Sequence, residues 1–230
     1  MASNGNDSLV LDVESLNKEL KEAHAPLGWQ KAKEWFQSNF GDKSTAVRLK
    51  FLSSVMLTEK PLVHTEELAK AGIEAFHILQ GDVIRSTAGL VPHPLPDYKE
   101  GENYYYLVIP ASCSAQRYEY VLTARLIPIL ASTPNGQQLI SETVNFKTHK
   151  FFYIPPLEEQ PDDCVGNLAN FQEVSYFHKN VLKVADRVAS MTEVGWHFFN
   201  SFITFHFTRL SGDEFEIRKG TYAAKIEIEK

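Results

Sequence analysis

The sequence predicts an α+β domain: antiparallel β-hairpins or a sheet packed against a layer of three to four helices, with an α-hairpin at the amino-terminal end. Three observations lead there. Apolar residues first recur at helical spacing and then at alternate positions, so the period switches along the chain. Helical and strand-like stretches do not alternate one for one, which argues against a doubly wound parallel sheet. Aromatic side chains gather in the strand-like stretches, where a pleated surface accommodates them well.

Residues 1–8 read as a polar tail. Asp12 is placed to cap a helix carrying Val13, Leu16 and Leu20, and Pro26 to end it or open the next, since a proline ring fits only the first helical turn. Trp29, Ala32, Phe36 and Phe40 form the stripe of a second helix, with Gly41 as a left-handed stop. Val47, Leu49, Phe51, Val55 and Leu57 then recur at two-residue spacing and predict a long strand, broken at Pro61. A helix over 65–80 carries Leu68, Gly72, Phe76 and Leu79; Gly81 and Asp82 close it before a short strand over 83–85. In 86–102, Pro92, Pro94 and Pro96 alternate around His93 and Leu95, and each proline biases its predecessor toward extended geometry. This segment reads as a surface connection within a single domain spanning 1–230, and a boundary between two sub-lobes would fall there.

Residues 103–155 predict strands over 104–109, 118–130 and 139–154. Thr133-Pro134-Asn135-Gly136 closes an extended hairpin: proline supplies the fixed first φ and glycine takes the positive one. After a polar break at 155–169, Val174, Phe177, Val181, Val184 and Val188 keep helical spacing and predict a long helix over 171–192, ended by Gly195. The remainder reads as strands. Phe199, Ser201, Ile203, Phe205 and Phe207 share one face over 196–207, and Phe198, Asn200, Phe202, Thr204 and His206 the other. Short strands over 215–218 and 222–228 follow, the last with Ile226 and Ile228 alternating against Glu227 and Glu229.

Composition narrows the function. The chain has 230 residues, 43% of them hydrophobic, and a formal net charge of −6. That apolar mass suffices for a core without a metal or disulfide staple. The basic residues are scattered; their densest cluster, Lys43, Arg48 and Lys50, is too small for a phosphate backbone, which argues against nucleic acid as a partner. No apolar run approaches the roughly 20 residues of a membrane helix, and the first residues lack the pattern of a secretory signal. The two cysteines, Cys113 and Cys164, read as reduced thiols, which points to the cytoplasm.

Motifs for chemistry are sparse. Glu74 and His77 share a helical face but have no second copy, so they read as a solvated pair. The eight histidines lack metal-gripping spacing, and His197 and His206, nine apart on the predicted strand, would face opposite ways. No glycine-rich phosphate loop and no Gly-x-Ser-x-Gly is present, and no metal or other cofactor is called for. Cys113 follows Pro110-Ala111-Ser112 in a small-residue turn, where His93 would be the imidazole to activate it. Cys164 follows Asp162 and Asp163, whose charge holds its proton on.

Consecutive aromatics are the chain's most unusual feature: Tyr104-Tyr105-Tyr106, Phe151-Phe152-Tyr153, residues 196–199 and Phe202. Neighbours on a strand point to opposite faces, so both faces of the sheet carry rings and a helical layer covers only one. The uncovered face needs a second layer, another protein surface or a small ligand. The expected function is therefore a non-catalytic binding or assembly protein. Tyr104, Tyr106, Phe152, Trp196, Phe198 and Phe202 would serve self-association or a protein partner. Two rival expectations are a hydrolase or transferase with a cleft near 86–116 using Cys113 and His93, and a membrane-active, toxin-like protein that inserts aromatic hairpins.

Overall fold

The computed structural model describes residues 5–22, 28–58, 78–86, 102–111 and 118–208 apart from 185, together with Lys70 and Ala115. Among these residues are six helices and one six-stranded antiparallel sheet, an α+β fold. The helices are α1 (Gly5–Glu22), α2 (Gly28–Phe40), α3 (Thr45–Val55), α4 (Gly136–Val144), α5 (Lys179–Val184) and α6 (Glu193–Thr208). The strands are β1 (Val83–Ser86), β2 (Tyr104–Val108), β3 (Tyr120–Leu130), β4 (Phe151–Ile154), β5 (Cys164–His178) and β6 (Asp186–Ala189), in the spatial order β4-β5-β3-β2-β1-β6.

The predicted α-hairpin is present. Leu16 and Leu20 of α1 and Trp29, Ala32, Phe36 and Phe40 of α2 are all buried. Trp35, outside the predicted stripe, is buried too and donates its indole N–H to Ser15 Oγ at 2.9 Å, tying the two helices together. α1 and α2 both pack on α6, whose Phe198, Phe199 and Phe202 reach Phe152 of β4.

The register divides the aromatics between two cores. Tyr105 pairs with Leu126, Leu126 with Ala169 and Ala169 with Phe152, a row that lies in the main core under the helices. Tyr104, Tyr106 and Val108 alternate with that row and enter a second core with Ile84, Val121, Phe177 and Leu182. Period-two alternation on β2 thus loads both faces of the sheet, as the run of tyrosines predicts, and both are covered within the chain at this point.

Several predicted elements take another form. The alternating stretch from Val47 is α3, because its buried set is Arg48, Phe51, Leu52 and Val55, at helical spacing. Arg48, predicted as part of a basic cluster, is buried and donates from Nη2 (2.6 Å) and Nε (3.2 Å) to the Phe40 carbonyl, capping the end of α2. The helix predicted over 171–192 is instead the end of β5, the short α5 and β6. The strand predicted over 196–207 is α6, and Gly195 lies in its first turn rather than ending a helix. Thr192 starts α6: its hydroxyl accepts the Gly195 N–H at 3.0 Å and its carbonyl the Trp196 N–H at 2.8 Å.

The turn at 133–136 is real, with Gly136 N–H on the Thr133 carbonyl at 3.0 Å, but it leads into α4, not a returning strand. Asn135 takes the positive φ of 57°; Gly136 is needed because a Cβ there would meet Ile129. α1 starts at Gly5, so Asp12 lies inside it rather than at its cap, and the predicted polar tail is partly helical. Gly41 is not left-handed. The helix predicted over 65–80, the strands over 215–218 and 222–228, and most of the proline-rich segment lie outside the described residues.

Candidate functional site

Of the six aromatic residues expected to face a partner, Tyr104, Tyr106, Phe152, Phe198 and Phe202 are buried. They hold layers together: Phe152 meets Phe198, Phe199 and Phe202, and Tyr106 meets Phe177 edge-on at 4.9 Å. Only Trp196 is exposed, and its indole N–H is already donated to Gln80 Oε1 at 2.9 Å. Cys113 and His93 lie outside the described residues. Cys164 is buried, and burial pushes its thiol pKa up more than neighbouring Asp163 does, so it is a weak nucleophile as expected.

The exposed rings are elsewhere. Tyr118, Tyr120 and Tyr176 are 65%, 58% and 62% exposed, and Val174 is exposed beside them. In the β3–β5 ladder Tyr120 pairs with His178, Leu122 with Tyr176 and Ala124 with Val174, so these side chains share one face. The alternate residues of the same strands, Val121 and Phe177, are buried in the second core on the opposite face. The tyrosines lie on the face that carries the main core, since Leu107 pairs with Ala124 and the partly buried Leu122 packs against that core. Cover by the described helices stops short of this end.

Pro110, Tyr118, Tyr120, Leu122 and Tyr176 line a mainly apolar cleft of about 630 Å³, with Glu119 at its rim. Its edge is held by a short polar network. The Asn180 N–H donates to His178 Nδ1 at 3.2 Å, which leaves the proton of a neutral ring on Nε2, facing Glu119 Oε1 at 3.2 Å. The Lys179 N–H donates to the Glu119 carbonyl at 2.9 Å, and the Tyr120 ring stands edge-on to His178 at 5.4 Å. Two strands and the turn into α5 thus hold the tyrosines with their rings outward.

A second concavity, of about 390 Å³, lies between Gln80, Asp82, Ser190, Met191, Thr192 and Trp196. Its polar floor is fully engaged. The buried Asp82 accepts from Ser190 Oγ at 2.7 Å and from the Leu79 N–H at 2.9 Å, with Arg187 at 3.4 Å, and Gln80 Nε2 donates to the Ile109 carbonyl. Burial raises the Asp82 pKa more than these donors lower it. The cluster ties the start of β1 to the residue after β6, with the Ser190 hydroxyl donated to the Asp82 carboxylate. On α6, burial lowers the His197 pKa against the opposing effect of Glu193, while His206 stacks on Phe202 and faces the His149 carbonyl.

Among the described residues no group of three or more His, Cys, Asp or Glu side chains is arranged to hold a metal, and no described helix is long and apolar enough to cross a membrane. No family model matches the chain, and no curated protein matches it either.

Sequence reasoning missed the tyrosine face because Tyr118, Tyr120 and Tyr176 are spread over two strands. The usable signal was at the start of β3, where Tyr120 and Leu122, and Tyr118 just before the strand, keep period two.

Proposed function

We propose that the protein is a non-catalytic binding or assembly protein whose exposed tyrosine face receives another protein surface, a second copy of the chain in the simplest case. The observation that carries this reading is the grouping of the exposed Tyr118, Tyr120 and Tyr176 around an apolar cleft, with Val174 exposed on the same face as Tyr120 and Tyr176. Tyrosines offer large, stiff apolar area with a hydroxyl that tolerates water, which is why they are enriched where proteins meet. Contiguous apolar surface of this kind is uncommon on a chain that has no use for it.

The test is sedimentation velocity across a wide concentration range, with and without Tyr120→Ser and Tyr176→Ser together. The unsubstituted chain is expected to shift to a larger species as concentration rises, and the double variant to stay monomeric with its thermal transition unchanged. A strict monomer that also captures no partner through this face overturns the reading. The volume of the cleft also suits a small apolar ligand, and stabilisation by such a ligand without any association would favour that second reading.

A further inference from the structure

β5 is far longer than its outer neighbour. It pairs with β3 on both sides of a bulge at residues 171–173, up to His178, but β4 pairs only with residues 167–170. Beyond that point, residues 172–178 have no partner on the β4 side among the described residues, and 174–178 keep the β3 ladder on the other. Asn170 Oδ1 takes up the Gln172 N–H at 3.0 Å, so the open stretch starts just after a side chain that closes the β4 pairing. Alternate residues of an antiparallel strand direct both N–H and C=O to its outer side, and a row of such groups is a template for one more strand. Among the described strands, the outermost two, β4 and β6, are short, with four residues each.

We propose that the outer edge of β5 over residues 172–178 is a strand-acceptor site, and that its occupant is the chain's own carboxy-terminal segment 222–228. The last described helix ends beside this edge: α6 ends at Thr208, and the Phe207 ring lies 6.4 Å from that of Phe171, the residue before the open stretch. Residues 209–230 follow. Within them Tyr222, Ala224, Ile226 and Ile228 alternate with Ala223, Lys225 and Glu227, a period-two pattern over as many residues as the open edge.

The geometry permits the return. An edge of that length spans about 24 Å at ~3.4 Å per residue. The intervening residues 209–221 reach on the order of 40 Å when extended, enough to deliver the segment in either direction. Tethering also gives the segment an effective concentration that a second copy in dilute solution does not match. In place, it would extend the row that holds Val174 and Tyr176 with the side chains of Ile226 and its alternate neighbours. The edge is made of backbone and the tyrosine face of side chains, so this inference does not depend on the proposed function.

Hydrogen exchange read by mass spectrometry on the full chain tests it. Peptides covering 172–178 should exchange slowly in the unsubstituted protein and at least about tenfold faster in Ile226→Pro, since a proline removes a ladder donor. Peptides from α2 and β4 should not change, which reports that the fold persists. Ile226→Lys with Ile228→Lys keeps every amide and should give the same direction of change. Fast exchange over 172–178 in the unsubstituted chain overturns the proposal. So does slow exchange that survives Ile226→Pro; if that protection falls on dilution, a second copy occupies the edge, and the tyrosine-face reading still stands.

Discussion

Replacing Phe202 by alanine discriminates most sharply between a ring that binds partners and one that holds the fold. Phe202 is 0% exposed, and its ring lies 5.0 Å from Trp29, 5.1 Å from Phe152, 5.1 Å from Phe171 and 5.6 Å from His206. It therefore joins α2, β4, β5 and α6 at one point. Truncating a buried phenylalanine to alanine costs about 3–5 kcal/mol through lost transfer energy and the cavity left behind. Aromatic pairs add about 0.5–1.5 kcal/mol each beyond buried area, so four ring neighbours place this site near the top of that range, about 4–5 kcal/mol. Against a typical stability of roughly 5–15 kcal/mol, such a loss leaves the protein marginal. Urea unfolding followed by tryptophan fluorescence should show the midpoint falling by about 1.5 M, taking an m-value near 3 kcal/mol/M. Phe202→Leu keeps bulk without the ring faces and should cost about 1–2 kcal/mol. Tyr176→Ala, on the open face, should stay within about 0.5 kcal/mol of the parent. A Phe202→Ala protein as stable as the parent but unable to associate would refute the packing argument.

Two further predictions concern the joints of the fold. Burial raises the Asp82 pKa above its ordinary 3.8, so the native state binds more protons than the unfolded state between the two values, and stability falls as pH rises through that window. Asp82→Asn removes that dependence: its stability relative to the parent should improve from about pH 3 upward and level off once the native carboxyl has ionised. Paired chemical denaturation across pH measures this, and a difference that moves the opposite way would mean that Arg187 outweighs burial. For Gly195→Ala, helix propensity alone predicts a gain of about 1 kcal/mol. A methyl there would run into the Met56 carbonyl group, backbone that cannot turn aside, so a net loss of about 1–3 kcal/mol is expected by thermal unfolding. A raised melting temperature would show that α3 and α6 separate more easily than their contact implies.

The tyrosine face was only partly legible before the fold was known. Tyr104-Tyr105-Tyr106 correctly implied rings on both faces of a sheet, because side-chain alternation is a local property of a strand. Which of those rings stay dry is not local. Tyr106 is enclosed because Phe177 and Leu182, from β5 and α5, cover it. Tyr176 is open because its neighbour across the ladder, Leu122, sits where the helical cover stops. Nothing near position 176 in the chain distinguishes the two cases.

Elements divide in the same way. The cores of α1 and α2 follow from spacing alone, since each stripe fits the helical period and agrees with its final burial. Residues 45–55 fit two periods at once; Arg48 decides the matter only when the end of α2 is there to accept its guanidinium. In α6 the run of phenylalanines satisfies both templates, and the better local signal was Thr192 followed by Glu193, a cap and a first-turn acid. Val174, Phe177 and Val181 keep helical spacing, yet the first two lie in β5, paired with β3, and only Val181 is helical, in α5.

By itself, then, the sequence determined the α+β class, the amino-terminal α-hairpin and the loading of both sheet faces, because those rest on side-chain period and turn chemistry within a few residues. The tertiary structure alone decided whether ambiguous stretches became helix or strand, and which aromatic rings remained in water. Both outcomes depend on partners distant in the chain, whose pairing and burial outweigh local preferences of about 1 kcal/mol.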